Sequence, residues 1–173
     1  MTQDTHRALT PYHREAARTT VILVNLGTPD NPGYFSVMRY LREFLSDRRV
    51  VGLPRLLWLP ILYGFILPFR SRSSGQKYAR IYDAKRGMPL LYHSQALCDG
   101  LQKHFADQGQ AVDVVLAMRY GNPSLASVLA SVRKTAVRSI LVLPLFPQYS
   151  AATTATIVDK MAQLLRSWRF IPN

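Results

Sequence analysis

Side chains able to do chemistry are densest between Leu141 and Ala155, in LVLPLFPQYSAATTA, which offers Phe146, Gln148, Tyr149, Ser150, Thr153 and Thr154. Aromatic faces beside hydrogen-bonding side chains suit a flat ligand with a polar rim. The same hydroxyls would equally cap a following helix, with Tyr149 packed beneath it, and on the residues alone that plainer role is preferred. Arg119 and Tyr120 close another apolar run, VDVVLAMRY, just before GNPS, and Arg48 and Arg49 stand side by side in SDRRV. His6 and His13 lie in a polar amino-terminal stretch, His93 near the start of a helical pattern, and His104 near its end, where the helix dipole favours a cation. His93 could touch a site, although a surface position is preferred for it, and the other three ask for no functional role.

The elements that place these residues follow from periodicity. SILVLPLF, from Ser139, and TVILVN, Thr20 to Asn25, are short runs rich in β-branched and aliphatic residues, as is Val112 to Tyr120, and each is bounded by turn residues. Between them lie helical patterns over Tyr34–Leu45, Ser73–Asp83, His93–Asp107, Ser124–Lys134 and Thr154–Trp168, and RFIPN reads as the opening of a further strand. Strands alternating with helices predict right-handed crossovers and a Rossmann-like α/β layer, a parallel sheet with helices on both faces. Loops at the carboxyl ends of parallel strands meet in one crevice. The three strand exits therefore bring Leu26 to Thr28, Arg119 with Tyr120, and Phe146 to Thr154 to one edge. The first exit, LGTPDNPG, lacks the GxGxxG spacing that admits a pyrophosphate, which disfavours a dinucleotide.

A hydrophobic fraction of 48% against 18% charged residues describes a packed body. The 22 Lys and Arg outnumber the 10 Asp and Glu, giving a net charge of +12 and a surface that attracts phospholipid, nucleic acid or a carboxylate ligand. The arginines are dispersed without a recognition helix or RNA-binding motif, so nucleic acid ranks last. Cys98 alone can close no internal disulfide. Residues 1–19 read as a mobile tail without the apolar core of a secretory signal, in keeping with a cytoplasmic protein.

Val50 to Phe69, VVGLPRLLWLPILYGFILPF, approaches the roughly 20 apolar residues of a membrane span. Pro54, Pro60, Pro68 and Arg55 interrupt it, and Arg70 and Arg72 follow. The expectation is a short proline-started helix carrying Leu56, Leu57, Trp58, Ile61, Leu62 and Phe65, either as an exposed apolar lip whose flanking arginines meet an anionic bilayer or packed on the sheet.

VNLGTPD, YLREFLSDRRVV, LPF with its basic run, the Gln76-Lys77-Tyr78 helix, MPLLYHS, AMRYGNPS and LPLFPQYSAATT, in this order, make the chain resemble the ferrochelatases, which insert ferrous iron into a porphyrin in haem synthesis. The resemblance implies one lobe of a two-lobed class II chelatase fold: residues 20–173 as the amino-terminal lobe, with the lip at 50–69 and the carboxyl-terminal lobe absent. It also implies protoporphyrin IX as substrate and protohaem as product, and a peripheral contact of residues 50–72 with the inner face of the membrane. By motif match, Leu26 lies against the ring, Arg48 faces a propionate, Tyr78 lines the cleft, Arg119 and Tyr120 form its polar wall, and Phe146, Gln148, Tyr149 and Ser150 lie beneath the macrocycle. Arginine suits carboxylate pairing at Arg48 and Arg119 better than lysine would.

Iron is here a substrate, and no cofactor is implied. Ala151 stands where some members have a cysteine ligand, so no iron–sulfur cluster is expected. Leu26, in place of the tyrosine of the coproporphyrin type, favours protoporphyrin. The family's histidine, in a motif resembling FSAHSLP, and its later glutamates have no counterpart before Asn173. No catalytic residue is therefore assigned, and the chain alone is expected to be inactive. The alternatives are a non-catalytic porphyrin- or membrane-binding module, a coproporphyrin enzyme, or a related chelatase, the last disfavoured by the lip and by AMRYGNPS.

Overall fold

A computed structural model describes residues 18–135 and 137–173. The expected tail falls outside these residues up to position 17, whereas Arg18 and Thr19 already belong to β1, Arg18–Thr28. β1 is the middle of a three-stranded parallel sheet, flanked by β2, Val112–Gly121, and β3, Val137–Pro144. Leu23 registers with Leu116 on one side and Leu143 on the other. A central strand has both faces covered, which is why its sequence is apolar without alternation; Ile22, Leu23 and Val24 are fully buried.

The two faces of the sheet separate with period two. Val21 and Leu23 pack with Val114, Leu116, Met118 and Cys98, the last from α4, Pro89–Asp107. Ile22 and Val24 pack with Ala117 and with Leu125, Leu129 and Ile157, from α5, Leu125–Val132, and α6, Thr156–Leu165. Each Leu or Ile taken fully out of water contributes about 2 kcal/mol, so these clusters are the main source of stability. Helices stand on both sides of the sheet, as expected, but α4 covers β1 and β2 and leaves Leu141 and Leu143 of β3 exposed at 55% and 44%. Asn173 accepts from the Ile140 N–H (2.8 Å) and donates to the Arg138 carbonyl (3.3 Å), a parallel contact on the free edge of β3, where RFIPN was expected to open a strand.

A third cluster caps the carboxyl end of the sheet: Val37, Tyr40, Leu41 and Leu45 of α1, Tyr34–Leu45, with Leu62, Leu67 and Tyr120. The apolar stretch is not a short isolated helix. α2, Arg55–Ile61, holds Pro60 and runs through a wide turn, Leu62–Ile66, straight into α3, Leu67–Ile81. In that turn the Leu67 N–H reaches back five residues to the Leu62 carbonyl. Such π turns accommodate a proline ring and a missing N–H that a regular helix would not. α4 likewise starts earlier than its periodicity indicated, with Pro89 in its first turn, where the missing N–H of proline costs no intrahelical bond.

Candidate functional site

β1 and β2 stay paired to their last residues, Gly27 opposite Tyr120 and Thr28 opposite Gly121. Both glycines have positive φ, +109° and +81°, and a Cβ on Gly27 would stand 1.7 Å from the Tyr120 carbonyl oxygen. Only glycine permits strand ends to approach so closely in that backbone region. The close pairing delivers Arg119 and Tyr120 to a fixed place beside the carboxyl end of α1.

There they meet Asp47. One oxygen of its carboxylate, Oδ2, accepts from an Arg119 NH2 group and from the Tyr120 hydroxyl at 2.9 Å, while Oδ1 accepts from the Arg49 N–H at 2.8 Å. Arg119 Nε donates to the Thr156 carbonyl at 2.8 Å, at the start of α6, and its guanidinium lies 4.4 Å over the Tyr120 ring. The Arg119 and Asp47 side chains are each 13% exposed. A second pair lies further out: Arg49 grips Asp159 of α6 through two bonds of 2.7 and 3.1 Å. Its hydrogen bonds hold the Asp159 carboxyl below the usual carboxylate range and raise the Arg49 guanidinium, to which the Tyr149 phenol contributes a smaller amount.

Leu26 and Tyr78 join Tyr120 in the apolar cluster beneath α1. Tyr40 stacks on Phe44 at 6.1 Å and meets Tyr78 edge-on at 6.3 Å, and Phe44 meets Tyr120 edge-on at 5.2 Å. Burial is the main force raising all three phenols, Tyr40, Tyr78 and Tyr120, above the ordinary tyrosine value, so they are neutral donors at physiological pH. The Trp58 indole donates to the Leu45 carbonyl at 2.7 Å and ties α2 to the end of α1.

The loop after β3 starts from a bond between the Leu145 N–H and the Val24 carbonyl, 2.8 Å. Phe146 then turns toward the α5–α6 cluster, half-buried, while Gln148, Tyr149 and Ser150 are exposed. The Ser150 and Thr153 hydroxyls bond each other at 2.6 Å, and the Ser150 carbonyl accepts from the Thr153 and Ala155 N–H groups at 3.3 Å. These bonds open the π turn Ala151–Ala155 ahead of α6, but neither hydroxyl accepts a backbone N–H, so the expected side-chain cap is not made, and Tyr149 is exposed where it was expected to pack beneath the helix. Arg48 is exposed and pairs with no carboxylate among the described residues.

The lip projects apolar side chains into solvent: Leu56 is 91%, Phe65 67% and Phe69 74% exposed. Trp58 and Leu62 point the other way, Leu62 completely buried, so only part of the expected apolar face is free. No helix among the described residues is long and apolar enough to cross a membrane.

The structure therefore brings Leu26, Tyr78, Arg119 and Tyr120 together and leaves Arg48, Gln148 and Tyr149 exposed at the surface. Asp47 escaped the sequence reading, although an acid at the carboxyl end of a helix, against the macrodipole and flanked by arginines, was a signal that it had a cationic partner. The site is an open wall. A recess of about 490 Å³ between α5 and α6 contains none of these residues.

The ferrochelatase family profile matches residues 18–173. The chain is 51% identical to the ferrochelatase of Methylococcus capsulatus over 161 residues, 93% of this chain and 48% of that protein. Against the ferrochelatase of Shewanella denitrificans it is 46% identical over 167 residues, 93% and 49% of the two lengths, and against that of Brucella canis 46% over 168 residues, 95% and 47%. It thus spans about half the length of the curated relatives it matches. A match over nearly every described residue, on a parallel sheet whose strand exits carry the family's motifs, shows that the chain belongs to the ferrochelatase family.

Proposed function

We propose that this chain forms the porphyrin-binding wall of a ferrochelatase that inserts ferrous iron into protoporphyrin IX to give protohaem. The observation that carries this reading is the junction of an apolar surface, Leu26 with Tyr78 and Tyr120, and a polar one, Arg119 with Asp47, at the carboxyl edge of the sheet. A flat macrocycle with two carboxylate tails needs both. Arg119 spends its charge inside the wall, so Arg48, exposed and without a carboxylate partner among the described residues, is the better receiver of a propionate. Tyr149, Gln148 and Ser150 border the ring, with Phe146 supporting the loop from behind.

Insertion requires a base to take the pyrrole protons near the ring centre. His93 and His104 are exposed on α4, which packs on the sheet face away from α5 and α6. The base and the opposite wall then come from outside these residues, and this chain by itself binds porphyrin without metallating it. No cofactor is invoked, and Ala151 offers no ligand for an iron–sulfur cluster.

The exposed lip favours a second role for the same molecule, docking on the cytoplasmic face of an anionic membrane through residues 50–72. Leu56, Phe65 and Phe69 would enter the acyl boundary while Arg55, Arg70 and Arg72 meet headgroup phosphates. Replacing the three apolar residues with serine is expected to abolish co-sedimentation with phosphatidylglycerol vesicles and leave porphyrin binding in place.

Protoporphyrin titrated with the 173-residue chain under anaerobic conditions, with and without ferrous or zinc ion, tests the main reading. A saturable shift of the Soret band without insertion above the protein-free rate is expected. Absence of a saturable shift would overturn it, and insertion above that rate would place the base within this chain.

A further inference from the structure

We propose that Asp47 is the positioning residue of this wall, holding Arg119 and Tyr120 in register with the root of the lip. The inference rests on the porphyrin-binding reading above and names the residue that sets the shape of that site. Asp47 occupies a costly place. It follows the last turn of α1, where the helix dipole disfavours a carboxylate, and it is mostly buried. Its bonds repay that cost and leave little acceptor capacity unused: Oδ2 serves Arg119 and Tyr120 at the exit of β2, Oδ1 serves the Arg49 N–H, and its carbonyl receives the Val50 and Val51 N–H groups at 3.1 and 2.9 Å.

One residue therefore joins three things that the sequence keeps far apart. The strand exit is held from below, the chain that starts the lip is turned from above, and through Arg119 Nε the start of α6 is included. Arg49, whose N–H Asp47 fixes, carries the outer ion pair to Asp159 at the start of α6, just after the PQYS loop. Losing the Asp47 charge would free Arg119 to swing and would release both the lip root and the Arg49 side of the ring platform.

Asparagine is the discriminating substitution, because its amide keeps the shape but has one acceptor atom and one donor group, so it cannot serve both Oδ1 and Oδ2 partners. Protoporphyrin is titrated against the parent chain, Asp47→Asn, Asp47→Glu and, as a control at the far end of the sheet, Arg18→Gln, which removes the exposed Arg18–Asp113 pair. The expected result is at least tenfold weaker binding for Asp47→Asn, recovery of most of it by Asp47→Glu, whose two acceptors and charge are retained, and no change for Arg18→Gln. In a Trp168→Phe background, Trp58 emission should also shift to the red in Asp47→Asn, because the indole bond to Leu45 lies at the same lip root. Binding by Asp47→Asn within twofold of the parent would overturn the inference while leaving the porphyrin reading intact. Equal loss in both Asp47 variants with a common drop in melting temperature would also overturn it, since Asp47 would then serve folding alone. If the parent gives no saturable shift, the porphyrin reading fails and this inference with it.

Discussion

Two ion pairs start from the root of the lip, one reaching the exit of β2 and the other α6, yet they live in different solvents. Asp47–Arg119 is 13% exposed on each side chain, and Arg49–Asp159 is 46% and 52% exposed. The inner pair is part of a hydrogen-bonded set that includes a phenol, a backbone carbonyl and an aromatic face. The outer pair has good bidentate geometry but faces water, where screening and side-chain entropy consume most of the Coulomb gain. Chemistry of the groups is the same in both, so burial decides which of them shapes the site.

Arg119→Ala should have the largest effect, because it strands the Asp47 carboxylate without its cation. Loss of about 3–5 kcal/mol in a urea titration is expected, the usual consequence of breaking one side of a buried pair. A loss no larger than that of Arg49→Ala would break the contrast between the pairs.

Tyr120→Phe removes one bond to the same carboxylate and leaves the ring in place, so about 1–3 kcal/mol is expected. Its pH dependence sharpens the argument. Burial raises the folded-state phenol above the ordinary tyrosine value of 10.0, so the folded protein favours the neutral form. That contribution is complete below the ordinary tyrosine value and is lost as pH climbs above it, because the unfolded chain ionises first. Thermal melts between neutrality and strongly alkaline pH should show a shallower decline for Tyr120→Phe than for the parent.

Asp159→Asn should be smallest at neutral pH, and its effect on the melting midpoint should vanish near ~0.5 M salt, where exposed charges are screened. Its signature is on the acid side. The Arg49 hydrogen bonds depress the folded-state Asp159 below the ordinary aspartate value of 3.8, so its contribution is present above that value and fades as pH falls below it. Asp159→Asn should flatten that part of the acid limb. A salt-insensitive cost at neutral pH would mean that the outer pair behaves like the inner one.

The amino-acid sequence by itself determined the layer and its edge. Apolar runs ending in turn residues specify strands wherever the local pattern matches the period of the element, and TVILVN, VDVVLAMRY and SILVLPLF did so within a few residues of β1, β2 and β3. Their alternation with helices implies parallel pairing, and parallel pairing places Leu26, Arg119 and the PQYS loop at one end. Local pattern said less where neighbours in space overrode it. Pro54, Pro60 and Pro68 argued against one uninterrupted helix, but packing of Leu62 and Leu67 on α1 holds the chain helical from α2 through a π turn into α3. His93 looked like a helix start because the periodic signal is weak before it, whereas Pro89 opens α4.

Only the tertiary structure decided how the site's charges are spent. Asp47 and Arg119 are 72 positions apart, and no periodicity links them. A carboxylate in SDRR has adjacent arginines as obvious partners, yet its side chain accepts from the Arg119 guanidinium and the Tyr120 hydroxyl, and from Arg49 only through that residue's backbone N–H. Sequence spacing governs which face of an element a residue occupies. Which opposite charge it meets depends on how strands register and where helices end against them, and those are properties of the whole packed chain.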